Sequence, residues 1–406
     1  MLLVLSLTAT AAVADSTKAA SGPSGLYYPQ KDGPFGYGVF QKMHYRDFTQ
    51  APTRNIGNPY LAGVEIVFNW ADLEPREGVY RWETVDRFMQ PWIQSGRKII
   101  LGVRAIQKRG ASATAGAATP AWVFEAGAKK IATGPFTGGK KSKKTPGPTD
   151  GTKNDNESAS EVSWPIYWDP VYLKKYQRFV SAFADRYDGN PGIEFIEIGL
   201  GQFGSTKIAG PAHVYRLYRD EGYTEDRWVE TIQKIIEIYR QAFEKTPMAI
   251  VMSPFHKVKK DSGGDRLKAL AVYAADRGIY LYNHALTGTD EFVKENPFPA
   301  VFNSVHDRTR TAFGPDNPIS ATGGQNDRKY GGIRDAVANA LGDIHGLPRT
   351  HISYLIFYAD DISAATSGSP EYQKEFEEAI RFGLEAIRPK EMKGESPVHG
   401  GRNETP

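Results

Sequence analysis

The sequence predicts one α/β domain, a closed (β/α)8 TIM barrel with a long insertion after its third strand. Three observations carry this reading. Short apolar runs bounded by Gly, Pro and Asn recur from about residue 36 to residue 388. Amphipathic helical stretches lie between them, each with its apolar residues on one face. Eight runs of the first kind can be picked out, the number a closed parallel barrel needs, and no linker interrupts them.

Taken in order, residues 1–14 form a short apolar run that ends in Ala12, Val13 and Ala14, a small-x-small pattern that reads as a signal peptide and predicts a secreted or periplasmic protein. Residues 15–35 are an N-terminal segment. The predicted strands are 36–44, 64–70, 98–105, 193–200, 248–253, 279–284, 318–325 and 353–358. Among the helices, 169–187 carries Tyr172, Tyr176, Phe179, Val180 and Phe183 on one face. The stretch 226–243 carries Trp228, Ile232, Ile235, Ile236 and Tyr239, and 371–387 repeats the pattern. Such stripes pack a helix onto a barrel. Residues 106–165 break the repeat with Gly, Ser, Thr and Pro clusters and the basic tract "GAKKIATGPFTGGKKSKK", which reads as a lid or binding loop. Residues 389–406 read as a disordered tail.

Composition narrows the function. A chain of 406 residues that is 40% hydrophobic and 12% aromatic can bury a large core. The net charge of +3 is too mild to imply nucleic acid, and no apolar run reaches the ~20 residues needed to cross a bilayer. The absence of cysteine removes disulfides, thiol nucleophiles and Cys-ligated zinc together.

The strands can also be read by face. Inward and outward side chains alternate along a barrel strand, and the outward ones must be apolar to pack under helices. In "VEIVFNW" that sends Val64, Ile66, Phe68 and Trp70 outward and Glu65, Val67 and Asn69 inward. In "KIILGVRA" it sends Arg104 inward, and in "IEFIEIGLG" it does the same for Glu197. Glu65, Arg104 and Glu197 should therefore meet inside the barrel and neutralise one another, because an isolated buried charge costs several kcal/mol.

The segment "GVEIVFNWADLEPREGVYRWETVDRFMQPWIQSGRKIILGVRA" closely resembles the second and third βα units of clan A glycoside hydrolases, β-galactosidase-like barrels above all. The likeness rests on Trp70, Leu73-Glu74-Pro75, Glu77-Gly78, Tyr80 and Trp82, and extends to "TPAWVFEAG" from Thr119 and to the stretch from Tyr167. It implies a (β/α)8 barrel acting on a poly- or oligosaccharide. In retaining members of that group, a Glu just past strand four is the acid/base and a Glu at the end of strand seven is the nucleophile. Here "FIEIGLGQFG", residues 195–204, offers Gln202 at the first place, and an alternative alignment offers Ser205; "PISATGGQND" offers Gln325 at the second. An amide cannot titrate as a carboxylate does, so two readings stand. Other carboxylates near the rim could do the work, with Glu197 and Asp360 foremost and Asp327 and Asp361 beside them. Alternatively the barrel binds carbohydrate without turnover, Gln202 and Gln325 hydrogen-bonding its hydroxyls.

His44, His256 and His284 end or follow strands and suit sugar hydroxyls; none has HxH or HExxH spacing, so no metal and no cofactor is expected. Trp70, Phe203, Tyr282 and Tyr358 are candidate platforms for sugar faces. The basic tract at 128–144 predicts a preference for sulfated or uronic-acid glycans.

Overall fold

The computed structural model describes residues 37–44, 52–105, 118–133, 162–208, 212–256, 264–319, 331–342, 351–367 and 370–387. The predicted signal peptide, N-terminal segment, tail and most of the basic tract lie outside these, as do Gln325 and Asp327. So does the side chain of His44.

Ten strands follow in chain order: β1 (Gly38–His44), β2 (Leu61–Asn69), β3 (Lys98–Arg104), β4 (Lys130–Thr133), β5 (Val162–Pro165), β6 (Ile193–Glu197), β7 (Met248–Met252), β8 (Tyr280–Asn283), β9 (Thr311–Phe313) and β10 (Tyr354–Tyr358). Eight of them close a parallel barrel in which β1 pairs with both β2 and β10. The other two, β4 and β5, form an antiparallel pair in the insertion after β3, preceded there by a short helix at Ala121–Glu125.

Seven barrel strands lie where the sequence puts them, to within a few residues at each end. The other does not. The seventh barrel strand is β9, three residues long, and the predicted strand at 318–325 is not it. Three residues are too few to show a period of two.

Apolar burial fills two layers. Between strands and helices lies the outer core, including Trp70, Trp92, Phe179 and Trp228. The long helices start where caps fix them. The carboxylate of Asp169 accepts from the Val171 and Tyr172 amides at 2.9 Å, so the first of them spans Pro170–Tyr187. The Thr224 hydroxyl accepts from the Arg227 amide at 3.1 Å and opens Glu225–Ala242. No helix among the described residues is long and apolar enough to cross a membrane.

The inner layer contains Phe40, Ile100, Phe195, Tyr280, Tyr354 and Ile356. Toward the C-terminal ends of the strands the inward positions turn polar. Phe40 is followed two residues on by Lys42, Phe195 by Glu197, and Tyr280 by Tyr282, while β3 passes from Ile100 through Gly102 to Arg104. Barrels of this kind place their chemistry at that end.

Candidate active site

Five strands supply one buried polar cluster. β1 contributes Lys42, β2 Glu65, β3 Arg104, β6 Glu197 and β8 Tyr282; Lys42 and Arg104 are 8% exposed, Glu197 2%, and Glu65 and Tyr282 fully buried. Glycine makes room for it. A Cβ on Gly102 would lie 3.2 Å from the Glu197 Cβ, and one on Gly204 would lie 2.9 Å from Glu197 Oε1. The Arg104 Nη2 stands 3.9 Å from Glu65 Oε1 and 3.9 Å from Glu197 Oε1, and Lys42 Nζ is 4.0 Å from Glu65 Oε1. From across the barrel the Tyr282 hydroxyl donates to Glu65 Oε2 at 3.2 Å.

These charges attract one another, yet few of them hydrogen-bond. Glu65 Oε1, Glu197 Oε2, Arg104 Nε, His284 Nε2, Asn69 Oδ1 and Gln202 Oε1 are all buried atoms with no hydrogen-bond partner. Buried polar atoms are nearly always satisfied, and several orphans together mark a place built for a polar guest.

The electrostatics set the protonation pattern. Burial, reinforced by the charge of Glu65 and opposed by Arg104 and Lys42, pushes the Glu197 carboxyl up to about 7. Burial lowers the Lys42 ammonium, with Glu65 opposing and Arg104 adding to the shift. Burial, then Lys42 and Arg104, hold His284 well below its ordinary value, so its ring is neutral at pH 7. The Tyr358 hydroxyl is raised chiefly by burial, its donor role intact, and it bonds to the Asp316 carbonyl at 2.9 Å.

Glu65, Glu197 and His284 present atoms within 4.8 Å of one another, a spacing that could seat an ion. Lys42, 4.0 Å from Glu65, and Arg104, 3.9 Å from both carboxylates, oppose a divalent cation there.

Other residues named from the sequence fall elsewhere. Asp360 opens the helix at Ala359–Ser367, about half exposed, and its Oδ1 pairs with Arg54 Nη1 at 2.7 Å rather than with the interior cluster. Alternation ends with β10, so nothing in the strand pattern fixed its direction. Trp70 is fully buried against Trp122, Tyr172, Tyr176 and Phe179 in the outer core, and no sugar can stack on it. Its indole donates to Glu74 Oε2 at 2.8 Å while Glu74 Oε1 accepts from the Gly78 amide at 2.8 Å. The Trp and Leu-Glu-Pro signature thus braces a strand-to-helix turn. His256 lies against Tyr215, ring centroids 4.2 Å apart, with Nε2 at 3.5 Å from Glu225 Oε1, outside the cluster. His284 stands at the cluster, ring centroid 4.1 Å from that of Tyr282. Asn69 donates to Asp72 Oδ2 at 2.9 Å. Gln202 is buried in a tight turn whose next residue, Phe203, is left-handed at φ 60°.

Two participants were missed from sequence. Lys42 is legible from the alternation of "GVFQKMH", where it follows the inward Phe40 by two. Asp316 follows β9, and its charge reaches Lys42 and Tyr358; locating it needed the correct seventh strand.

Of the known proteins similar to this chain, one solved catalytic domain shares the architecture over its full length. The β-galactosidase family model matches residues 49–136. Beta-galactosidase BglY of Alicyclobacillus acidocaldarius is 24% identical over 147 residues, which are 36% of this chain and only 16% of that protein's length. Among solved structures, the catalytic domain of β-amylase from Paenibacillus polymyxa superposes with a TM-score of 0.56 at 10% identity, covering 87% of this chain and 100% of that one. Endo-glycoceramidase II from Rhodococcus sp. gives a TM-score of 0.45 at 14% identity over 83% of this chain and 76% of its own. The chain is a closed (β/α)8 TIM barrel that over residues 49–136 is similar to glycoside hydrolases. Its resemblance to the β-galactosidase-like barrels of clan A, drawn from the stretch around Leu73-Glu74-Pro75, holds over the matched residues.

Proposed function

We propose that the protein is an exported hydrolase of glycosidic bonds in a poly- or oligosaccharide, with Glu197 as proton donor and Glu65 as the carboxylate facing it. One observation carries this reading. The two carboxyl groups approach within 4.8 Å inside the barrel, and burial pushes that of Glu197 up to about 7. Retaining hydrolysis needs two carboxyl groups ~5 Å apart in opposite protonation states. Glu197 would give its proton to the bridging oxygen as the C1–O bond breaks, while Glu65 attacks C1 and forms a glycosyl ester. Water, losing a proton to Glu197, would then attack C1 and release Glu65. Tyr282 and Lys42 would hold Glu65 in place, and the orphaned side-chain Oε1 of Gln202 would accept from a sugar hydroxyl. The Gln at the family's usual acid position would then bind rather than catalyse.

The test is a screen of the purified chain on polysaccharides and aryl glycosides, followed by Glu197→Gln, Glu65→Gln and Asp316→Asn. Loss of a general acid lowers turnover by about 10²- to 10⁴-fold. It should do so most on poor leaving groups and least on dinitrophenyl glycosides, whereas Glu65→Gln should fail on all. If Asp316→Asn is dead and Glu65→Gln active, the nucleophile follows strand seven instead. If no glycoside is cleaved, the barrel binds carbohydrate without turnover.

A further inference from the structure

From the two interior cations we infer that the sugar at the point of cleavage is a uronic acid, its carboxylate held by Lys42 and Arg104; this rests on the hydrolase reading. Lys42 on β1 and Arg104 on β3 flank Glu65 on the strand between them. Both are 8% exposed, and neither makes a hydrogen bond among the described residues. The nearest carboxylate oxygens among the described residues stand 3.9 and 4.0 Å away, beyond hydrogen-bond reach. Lys42 is otherwise boxed by aromatic faces, with the ring centroids of Tyr282 and Tyr358 at 5.7 and 5.4 Å. A guanidinium and an ammonium placed this deep normally bind acceptors, and a planar guanidinium matches a carboxylate best.

The charge balance points the same way. With Glu197 carrying the proton it needs as an acid, two cations face one carboxylate, Glu65. A neutral sugar would leave that surplus uncompensated in a buried site, whereas a uronate carboxylate cancels it. Glucose and galactose carry at C6 a hydroxyl where their uronic acids carry the anion, so the discrimination falls on one substituent of the ring. Asp316, the weakest of the named charges acting on Lys42, is exposed and therefore screened.

The experiment compares kcat/KM on an oligouronide with that on its methyl ester, and on aryl glucuronide and galacturonide against the matching glucoside and galactoside. A charged hydrogen-bonded contact supports about 10- to 100-fold discrimination in favour of the acid form. Lys42→Met and Arg104→Gln should each shrink that ratio toward one. Because the cations are buried, the preference should persist above ~0.2 M salt, where one arising from a surface lid would fade. Neutral substrates cleaved as well as or better than acidic ones would overturn the inference and leave the hydrolase reading standing. If no member of any pair is cleaved, the hydrolase reading fails, and calorimetry with the oligouronide and its methyl ester decides the inference separately. Binding of the acid at least tenfold tighter, lost in Lys42→Met, supports it; equal binding, or none of either, overturns it.

Discussion

Gly204 packs directly against Glu197: a Cβ at this position would lie 2.9 Å from Glu197 Oε1, and the backbone here is left-handed at φ 76°. Two costs would therefore meet in Gly204→Ala. A left-handed alanine costs about 1–2 kcal/mol, and overpacking a tight site a further 1–3 kcal/mol. We expect the variant to lose about 2–5 kcal/mol in urea unfolding with an unchanged m-value, and to displace Glu197. An unaltered midpoint would mean that the turn at 202–204 moves freely and does not brace the acid.

Arg104 faces Glu65 and Glu197 at equal distances of 3.9 Å. Replacing it with leucine strands the pair against each other, and breaking a buried ion pair from one side costs about 3–5 kcal/mol. The measurement is a double-mutant cycle. Arg104→Leu should be markedly less damaging in the Glu65→Gln background, where one stranded charge is gone. Equal costs in both backgrounds would show that the guanidinium matters by packing alone.

The barrel and half of the cluster were legible because alternation is enforced by burial. Glu65 and Glu197 sit between apolar neighbours that cannot face inward, so their direction follows from Val64, Ile66, Ile196 and Ile198, all fully buried. Where that constraint lapses, so does the reading. Asp360 lies one residue beyond Ala359, on a helix, and its direction is fixed by Arg54, more than 300 residues distant in sequence, which no local pattern reveals. Trp70 was placed on the outward face correctly but read as a platform, because burial depth depends on the helix at Pro170–Tyr187 that covers it. The strand pattern predicts that Glu65, Arg104 and Glu197 neutralise one another, but it carries no measure of burial depth, and at Glu197 burial and Glu65 outweigh the two cations.

Asp360 provides a control for this reassignment. Its partner Arg54 is about one-third exposed and the carboxylate more than half, so the pair is worth about 1 kcal/mol or less. Asp360→Asn should leave turnover of any cleaved glycan within about twofold, because its carboxylate is committed to Arg54. A loss of about 10²-fold or more, the least a missing general acid produces, would make Asp360 the general acid and remove Glu197 from the proton-donor role.

Glu197 makes stability itself a readout of the site. Its carboxyl titrates near 7 in the folded chain against an ordinary 4.5. Below pH 4.5 both folded and unfolded states hold the proton and nothing is lost. Between 4.5 and 7 the unfolded chain releases it while the folded chain retains it, so stability falls as pH rises, by about 3 kcal/mol in all. Glu197→Gln has no proton to lose. The stability of Glu197→Gln relative to the parent should therefore climb by about that amount from pH 4 to pH 8 and level off above 7. His284, held neutral by burial, works in the opposite sense, since its contribution is lost as pH falls below its ordinary 6.5. That loss is common to both proteins and cancels in the difference. The alkaline limb of turnover should fall near the same pH 7 in the parent, as the acid is deprotonated. A difference curve flat from pH 4 to pH 8 would show that Glu197 ionises like a solvent-exposed carboxylate, and the assignment of the proton donor would have to move elsewhere.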